Sequence, residues 1–312
     1  MIKPERKLSE KAYEKDHIGK VLCNLTSNFN QYFSTFKIGK DDPLLILNGG
    51  CIREKPKQNK VRGAELSNIF DAKVEEFKVE QGDYQSFFDL ETLEEYEDDP
   101  NAFKKDLTKC CPIIRRCINS PAKEMQKYKN AFRLKTGREL LTITKNIVLF
   151  GKEHMLGFDT KVHETVECVE HLGISKLLED DYISYEVIGG GIKSNFLHSL
   201  YPDAFANRSQ NSIWALWYLA GKDDFGFKDG SEFLMLDTDK AITQQNYHYP
   251  YDLFSFYALK IYLMLKDACK NEGYILLNEN RYIYLDVFLD HIVKLNIGEI
   301  NELRKRTEYE LY

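Results

Sequence analysis

The sequence predicts a mainly α protein whose amino-terminal region also contains strands. Three observations lead there. Apolar residues recur at helical spacing, between recognisable start and stop signals, through most of residues 100–312. Both strand-like runs fall within residues 1–99. Composition shifts most sharply at Asp99-Pro100, with no repeat or Pro- or Gly-rich linker elsewhere, which sets an α/β region, 1–99, before a helical domain, 100–312.

In the amino-terminal region, Pro43-Leu-Leu-Ile-Leu-Asn48 is a short apolar run closed by Gly49-Gly50, and residues 72–79 read as a second strand. Beyond the boundary, Ser120-Pro121 starts a helix over 122–150, which Gly137 divides and Gly151 stops. A helix over 161–171 ends at Gly173, and a short one follows at 175–179. A glycine-rich hairpin at 187–194 comes next. The aromatic-rich residues 212–220 read as a buried helix stopped by Gly221. Asp252 caps a helix reaching Asn271, and residues 282–295 form another, so the core is expected in helix-to-helix contacts.

A chain of 312 residues with 43% hydrophobic content can bury the core of one large domain or two ordinary ones. Its seven scattered cysteines, and the Lys, Pro, Glu and Arg near Met1 in place of an apolar leader, point to a reducing, cytoplasmic location. The longest apolar stretches, 253–265 and 283–295, are broken by Lys260, Asp286 and Asp290 and are too short to cross a bilayer, so no membrane partner is expected. A net charge of −6 argues against a chain that coats nucleic acid indiscriminately, yet the charge is unevenly spread. Residues 80–99 hold nine acids and no Lys or Arg, whereas residues 104–152 hold thirteen bases against Asp106, Glu124 and Glu139. Such a basic stretch suits a site-specific DNA-binding protein, and it suits solvated helix faces of alternating sign as well.

In Val187-Ile-Gly-Gly-Gly-Ile-Lys-Ser194, residues without a β-carbon let the backbone approach a ligand, and a helix is read from Ser194 onward. Free amides and the positive end of that helix favour an anion, phosphate above all, and Lys193 adds a mobile charge. The string is neither a Gly-x4-Gly-Lys-Ser/Thr phosphate loop nor a dinucleotide fingerprint. A purely structural turn between packed helices is the alternative.

The order apolar-apolar-Gly-x-Gly-x-Lys-Ser, after a short helix and before an apolar one, resembles the helix-hairpin-helix of endonuclease III-type DNA glycosylases over about residues 167–221. The resemblance implies a glycosylase-like helical domain in which Gly189, Gly190, Gly191, Ile192, Ser194, Asn207 and Arg208 contact double-stranded DNA. It places Lys193 where bifunctional members carry their nucleophile. The implied function is DNA glycosylase or lyase chemistry on a damaged or modified base flipped out of the duplex. Lys193 would attack the sugar as a neutral amine, which requires a depressed pKa; a phosphate-contacting lysine without a covalent role is its other reading. Leu200-Tyr-Pro-Asp-Ala-Phe205 corresponds to the loop that leads to the family's aspartate, but this chain then reads Asn207-Arg-Ser-Gln-Asn211, with Ser209 or a neighbouring amide at the aspartate's place. Asp203, Asp237 and Asp239 are the substitute carboxylates.

Trp214, Tyr247, His248 and Tyr249 are the candidate base-pocket residues, although a tryptophan at helical spacing is more often a core residue and loop anchoring is the commoner role for the tyrosines. Cys110-Cys111-x5-Cys117 lacks metal-ligand spacing, and Cys269 alone follows the hairpin, so neither zinc nor an iron-sulfur cluster is expected and no cofactor is assigned. His198 suits a phosphate contact or a helix surface. Three rivals remain: a non-catalytic DNA-binding protein that keeps the hairpin, a metal-dependent nuclease built on Asp71 and Glu76-Phe77-Lys78, and a helical interaction protein.

Overall fold

The computed structural model describes residues 10–37, 59–123, 125–227, 231–234, 236–237, 242–243 and 249–309, with backbone alone at 59–64, 236–237, 242–243 and 306–309. Its helices are α1 (Lys15–Phe36), α2 (Asn59–Phe87), α3 (Leu90–Glu95), α4 (Pro100–Cys110), α5 (Pro112–Asn119), α6 (Met125–Leu134), α7 (Gly137–Leu156) and α8 (Thr160–Glu164). After a stretch of 3-10 turns come α9 (Gly190–Leu200), α10 (Gln210–Leu219), α11 (Tyr251–Asn271), α12 (Arg281–Leu295) and α13 (Ile297–Tyr309). Between α10 and α11, strands β1 (Leu236–Asp237) and β2 (Ile242–Thr243) pair antiparallel. The protein is mainly α, and among the described residues no helix is long and apolar enough to cross a membrane.

Two compact units divide the chain, one of residues 1–73, 209–249 and 257–312, the other of 74–208 and 250–256. In the first, α1 buries Val21, Leu25, Phe29, Phe33 and Phe36 along one face and packs on α10 and α12. Phe29 and Phe36 meet Phe288 at 5.2 and 5.4 Å between ring centres. Burying each such side chain stabilises by about 1.5–3 kcal/mol, so this face is what fixes α1. Asn28 and Asn24 of α1 also donate to the carbonyls of Leu219 (2.9 Å) and Ala220 (3.1 Å), which α10 leaves open at its end. Gly221 turns left-handed there (φ 72°), as a stop signal should.

In the second unit α7 packs on α3, α4 and α9. Gly137 is its first residue because a β-carbon there would run into the Pro100 carbonyl; Thr136 caps the helix by accepting from Glu139 N (3.1 Å), so the expected division at Gly137 is present. Gly151 is not a stop. The helix continues to Leu156, and Gly151 is small because a β-carbon would sit 2.8 Å from Leu197 and 2.9 Å from Tyr201. Asp99-Pro100 lies inside this unit, with Asp99 capping α4.

Residues 72–79 are helical, not a strand: they belong to α2. The apparent alternation misled because Val79 is 81% exposed, while Leu66, Phe70 and Val74, four residues apart, are the buried series. The run Pro43–Asn48 lies outside the described residues. The expected helix over 161–171 is also broken: α8 ends at Glu164, with Thr165 as its cap and Val166 following, and residues Val169–Leu172 form a 3-10 turn that Gly173 closes at φ 67°. β-Branched residues at the break lose rotamer freedom in a helix.

Candidate functional site

The expected hairpin at 187–194 differs in the structure. The tight turn lies earlier: Ser184 N donates to Ile188 O (3.1 Å), Ile188 N donates back to Ser184 O (2.7 Å), and Glu186 takes the left-handed conformation (φ 67°). Before it stand 3-10 turns, Ser175–Leu178 and Asp180–Tyr182, in place of a helix. Helix α9 then begins at Gly190, with Gly189 as its cap, four residues ahead of Ser194. The glycines are therefore the first turn of a helix, and none of the three has a positive φ. Arg208 packs beside two of them at ordinary contact distance: a β-carbon on Gly190 would lie 3.4 Å from Arg208 Cδ, and one on Gly191 3.5 Å from the Arg208 carbonyl oxygen, so neither position requires glycine for space.

Ser194 sets that proximity. Its hydroxyl donates to Gly191 O (2.9 Å) and accepts from Arg208 N (3.0 Å), tying the residue-208 backbone to the start of α9. No side chain caps this helix end, and first-turn amides have no acceptor within the helix. Gly189, Gly190, Gly191 and Ile192 are half-buried, so their amides line a partly open position. Arg208, 6% exposed, adds a guanidinium beside it, with Nη1 3.5 Å from where a Gly190 β-carbon would stand. Amides, helix dipole and guanidinium all favour an anion.

Lys193 points elsewhere. It is 1% exposed, and its amine donates to the Leu177 carbonyl. Burial, and secondarily the Arg208 charge, push the amine down to about 7, so near neutral pH a large fraction is unprotonated. His198, one helical turn beyond Ser194, is buried rather than on the surface; its Nδ1 bonds the Phe205 carbonyl (3.0 Å), and burial pushes the imidazole down to about 4.

Of the remaining expected residues, Asp203 stands half-buried in the turn after α9, and Asn207 is half-buried beside Arg208 in sequence. Ser209 belongs to the other unit and caps α10, its hydroxyl accepting from Ser212 N (3.0 Å). Trp214 is a core residue of α10, edge-on to Trp217 at 5.5 Å. Tyr249 is buried and donates to Glu232 Oε2 (3.0 Å). Asp237 is in β1 and its side chain lies outside the description, as do Asp239, Tyr247 and His248. Thus Gly189 to Ile192, Ser194 and Arg208 come together, whereas Ser209, Trp214 and Tyr249 serve their own local structure.

The charge blocks meet one another. Arg116 holds Glu80 through two bonds (2.5 and 3.0 Å), Arg115 lies 4.0 Å from Asp83, and Lys145 pairs with Glu97 and with Glu94 (3.7 Å). Arg138 donates to the Glu97 carbonyl (2.9 Å), and Lys104 to the carbonyls of Arg133 (2.9 Å) and Lys135 (2.6 Å). Much of the basic stretch is thereby occupied within its own unit. That unit holds eighteen Lys and Arg against twenty-five Asp and Glu, so any phosphate contact must be a point contact rather than a basic face.

Among the buried polar groups that sequence reasoning missed is the pair His17 and Glu232. His17 Nε2 lies 2.5 Å from Glu232 Oε1, and Tyr249 occupies the other oxygen of that carboxylate. Its periodic signal was present, since His17, Val21, Leu25 and Phe29 form one buried row. Among the described residues no cluster of three or more His, Cys, Asp or Glu could hold a metal ion. No protein-family model, no curated protein and no solved structure matches the chain.

Proposed function

We propose that the chain binds a DNA phosphate at the first turn of α9. The observation that carries this is the uncapped, half-buried turn Gly190-Gly191-Ile192 set against the Arg208 guanidinium. Phosphate accepts several amide bonds at once and is drawn by both the dipole and Arg208. With an acidic unit around it, the site engages one or two phosphates. The logarithmic salt slope of duplex binding is then about −1 to −2, against about −10 for a protein that lays a basic face on DNA. Titration of a labelled duplex at several low salt concentrations tests this. Absence of binding at the lowest salt, or a steep slope, overturns it.

A second reading, DNA glycosylase or lyase chemistry on a damaged or modified base, is favoured by one specific observation: the Lys193 amine is buried beside the Arg208 charge and is pushed down to about 7, which leaves about half of it neutral near pH 7. A neutral amine forms a bond to the sugar anomeric carbon as the base leaves with the electron pair of the broken glycosidic bond and takes up a proton. Ring opening gives an imine that borohydride reduces to a stable adduct. Asp203, in the same unit, is the candidate carboxylate for the developing sugar cation. Borohydride trapping with abasic and modified-base duplexes, abolished in Lys193→Ala, supports this reading. Binding without trapping leaves a non-catalytic DNA-binding protein.

A further inference from the structure

We infer that residues 175–181 form a strap that opens by itself, without unfolding of the helices around it, and so releases the Lys193 amine. The inference rests on the reading of Lys193 as an amine that reacts. In the closed arrangement that amine is sealed, and the carbonyl it donates to belongs to Leu177, in the middle of the strap. An amine held in this way cannot reach a sugar carbon.

The strap is built to yield. It consists of the 3-10 turns Ser175–Leu178 and, in part, Asp180–Tyr182, whose tighter bonds have poorer geometry than those of an α-helix. Leu177 alone is buried among residues 175–181; the other six are exposed. Gly173, exposed and in the left-handed conformation (φ 67°), gives a pivot on one side, with the His154 ring edge 3.9 Å from where a β-carbon would stand. On the other side Tyr182 is buried edge-on to Phe150 at 5.9 Å, and Asn146 holds the Asp181 carbonyl (2.9 Å). Leu177 is thus both the apolar plug and the acceptor, and one residue's withdrawal frees the amine. Few buried contacts and exposed backbone bonds are the marks of a segment that opens locally.

Reductive methylation of the full chain reads the opening without DNA. The amine condenses with formaldehyde, losing water to give an imine, and cyanoborohydride supplies the hydride that converts it to N-methyl-lysine. Peptide mass spectrometry follows position 193 against the exposed Lys105 across urea concentrations below the unfolding transition. The expected rate at Lys193 is nearly independent of urea and rises at least about tenfold in Leu177→Ala, with Lys105 unchanged. Should that variant fail to fold, Gly173→Ala, which strains the pivot, carries the same expectation. A Lys193 rate with the urea dependence of global unfolding overturns the strap. A chain that gives no borohydride-trapped adduct with DNA but shows the flat profile keeps the strap and loses the reading of Lys193 as a nucleophile; trapping with the steep profile does the reverse.

Discussion

Replacing Lys193 by Met should remove a specific part of the pH dependence of stability. The side chain keeps its length but no longer titrates. The amine's value is 10.5 when free and about 7 in the folded protein, where burial and Arg208 disfavour its charge. Between these values the unfolded chain binds a proton that the folded chain does not, so stability rises with pH through the window from 7 to 10.5. From pH 7 to pH 9 the wild type should gain about 2 kcal/mol more than Lys193→Met. Urea unfolding followed by circular dichroism at pH 7, 8 and 9 measures both slopes. Parallel curves would show that the amine is charged and solvated in the folded state, which would refute both the buried placement of Lys193 and the neutral-nucleophile reading built on it.

Other expectations follow from the same packing. His198 is held neutral, so stability should fall as pH drops from 6.5 towards 4, by up to about 3 kcal/mol from this group, and His198→Gln should lose that component in unfolding curves taken from pH 7 to 4.5. Gly137→Ala forces a β-carbon against the Pro100 carbonyl and should cost about 1–3 kcal/mol, seen as a lowered Tm; an unchanged Tm would mean that α4 and α7 do not meet as described. Arg116→Ala breaks an exposed pair with Glu80, so stability should change by less than about 1 kcal/mol and duplex affinity should not change at all. A tenfold loss of affinity there would return the basic stretch to the DNA interface.

Much of the helical content was legible because its signals are local. Gly173 and Gly221, read as stops, end elements in the left-handed conformation, whereas Asp252, read as a cap, lies within the first turn of α11. Signals that depend on tertiary neighbours misled. Gly151 looked like a stop but is small because Leu197 and Tyr201 cross there. Residues 72–79 alternated like a strand, but their burial follows a helical row that starts at Leu66. The glycines at 189–191 read as a hairpin but form the cap and first turn of α9, and the packing beside them of Arg208, eighteen residues downstream of Gly190, is visible only once α9 and the following loop are folded. Opposite charge blocks within a hundred residues also carried a message about pairing that counting Lys and Arg alone could not convey.

The central claim is that the first turn of α9 holds a phosphate, and Gly190→Asp tests it most directly. An aspartate at the first helical position suits the dipole and can meet Arg208, so the fold should survive while the anion site acquires a fixed negative charge. Fluorescence anisotropy of a labelled duplex at low salt, with circular dichroism confirming the fold, should show at least about a tenfold loss of affinity relative to wild type, a difference of about 1.4 kcal/mol. Equal affinity of the folded variant and the wild type would contradict the phosphate site.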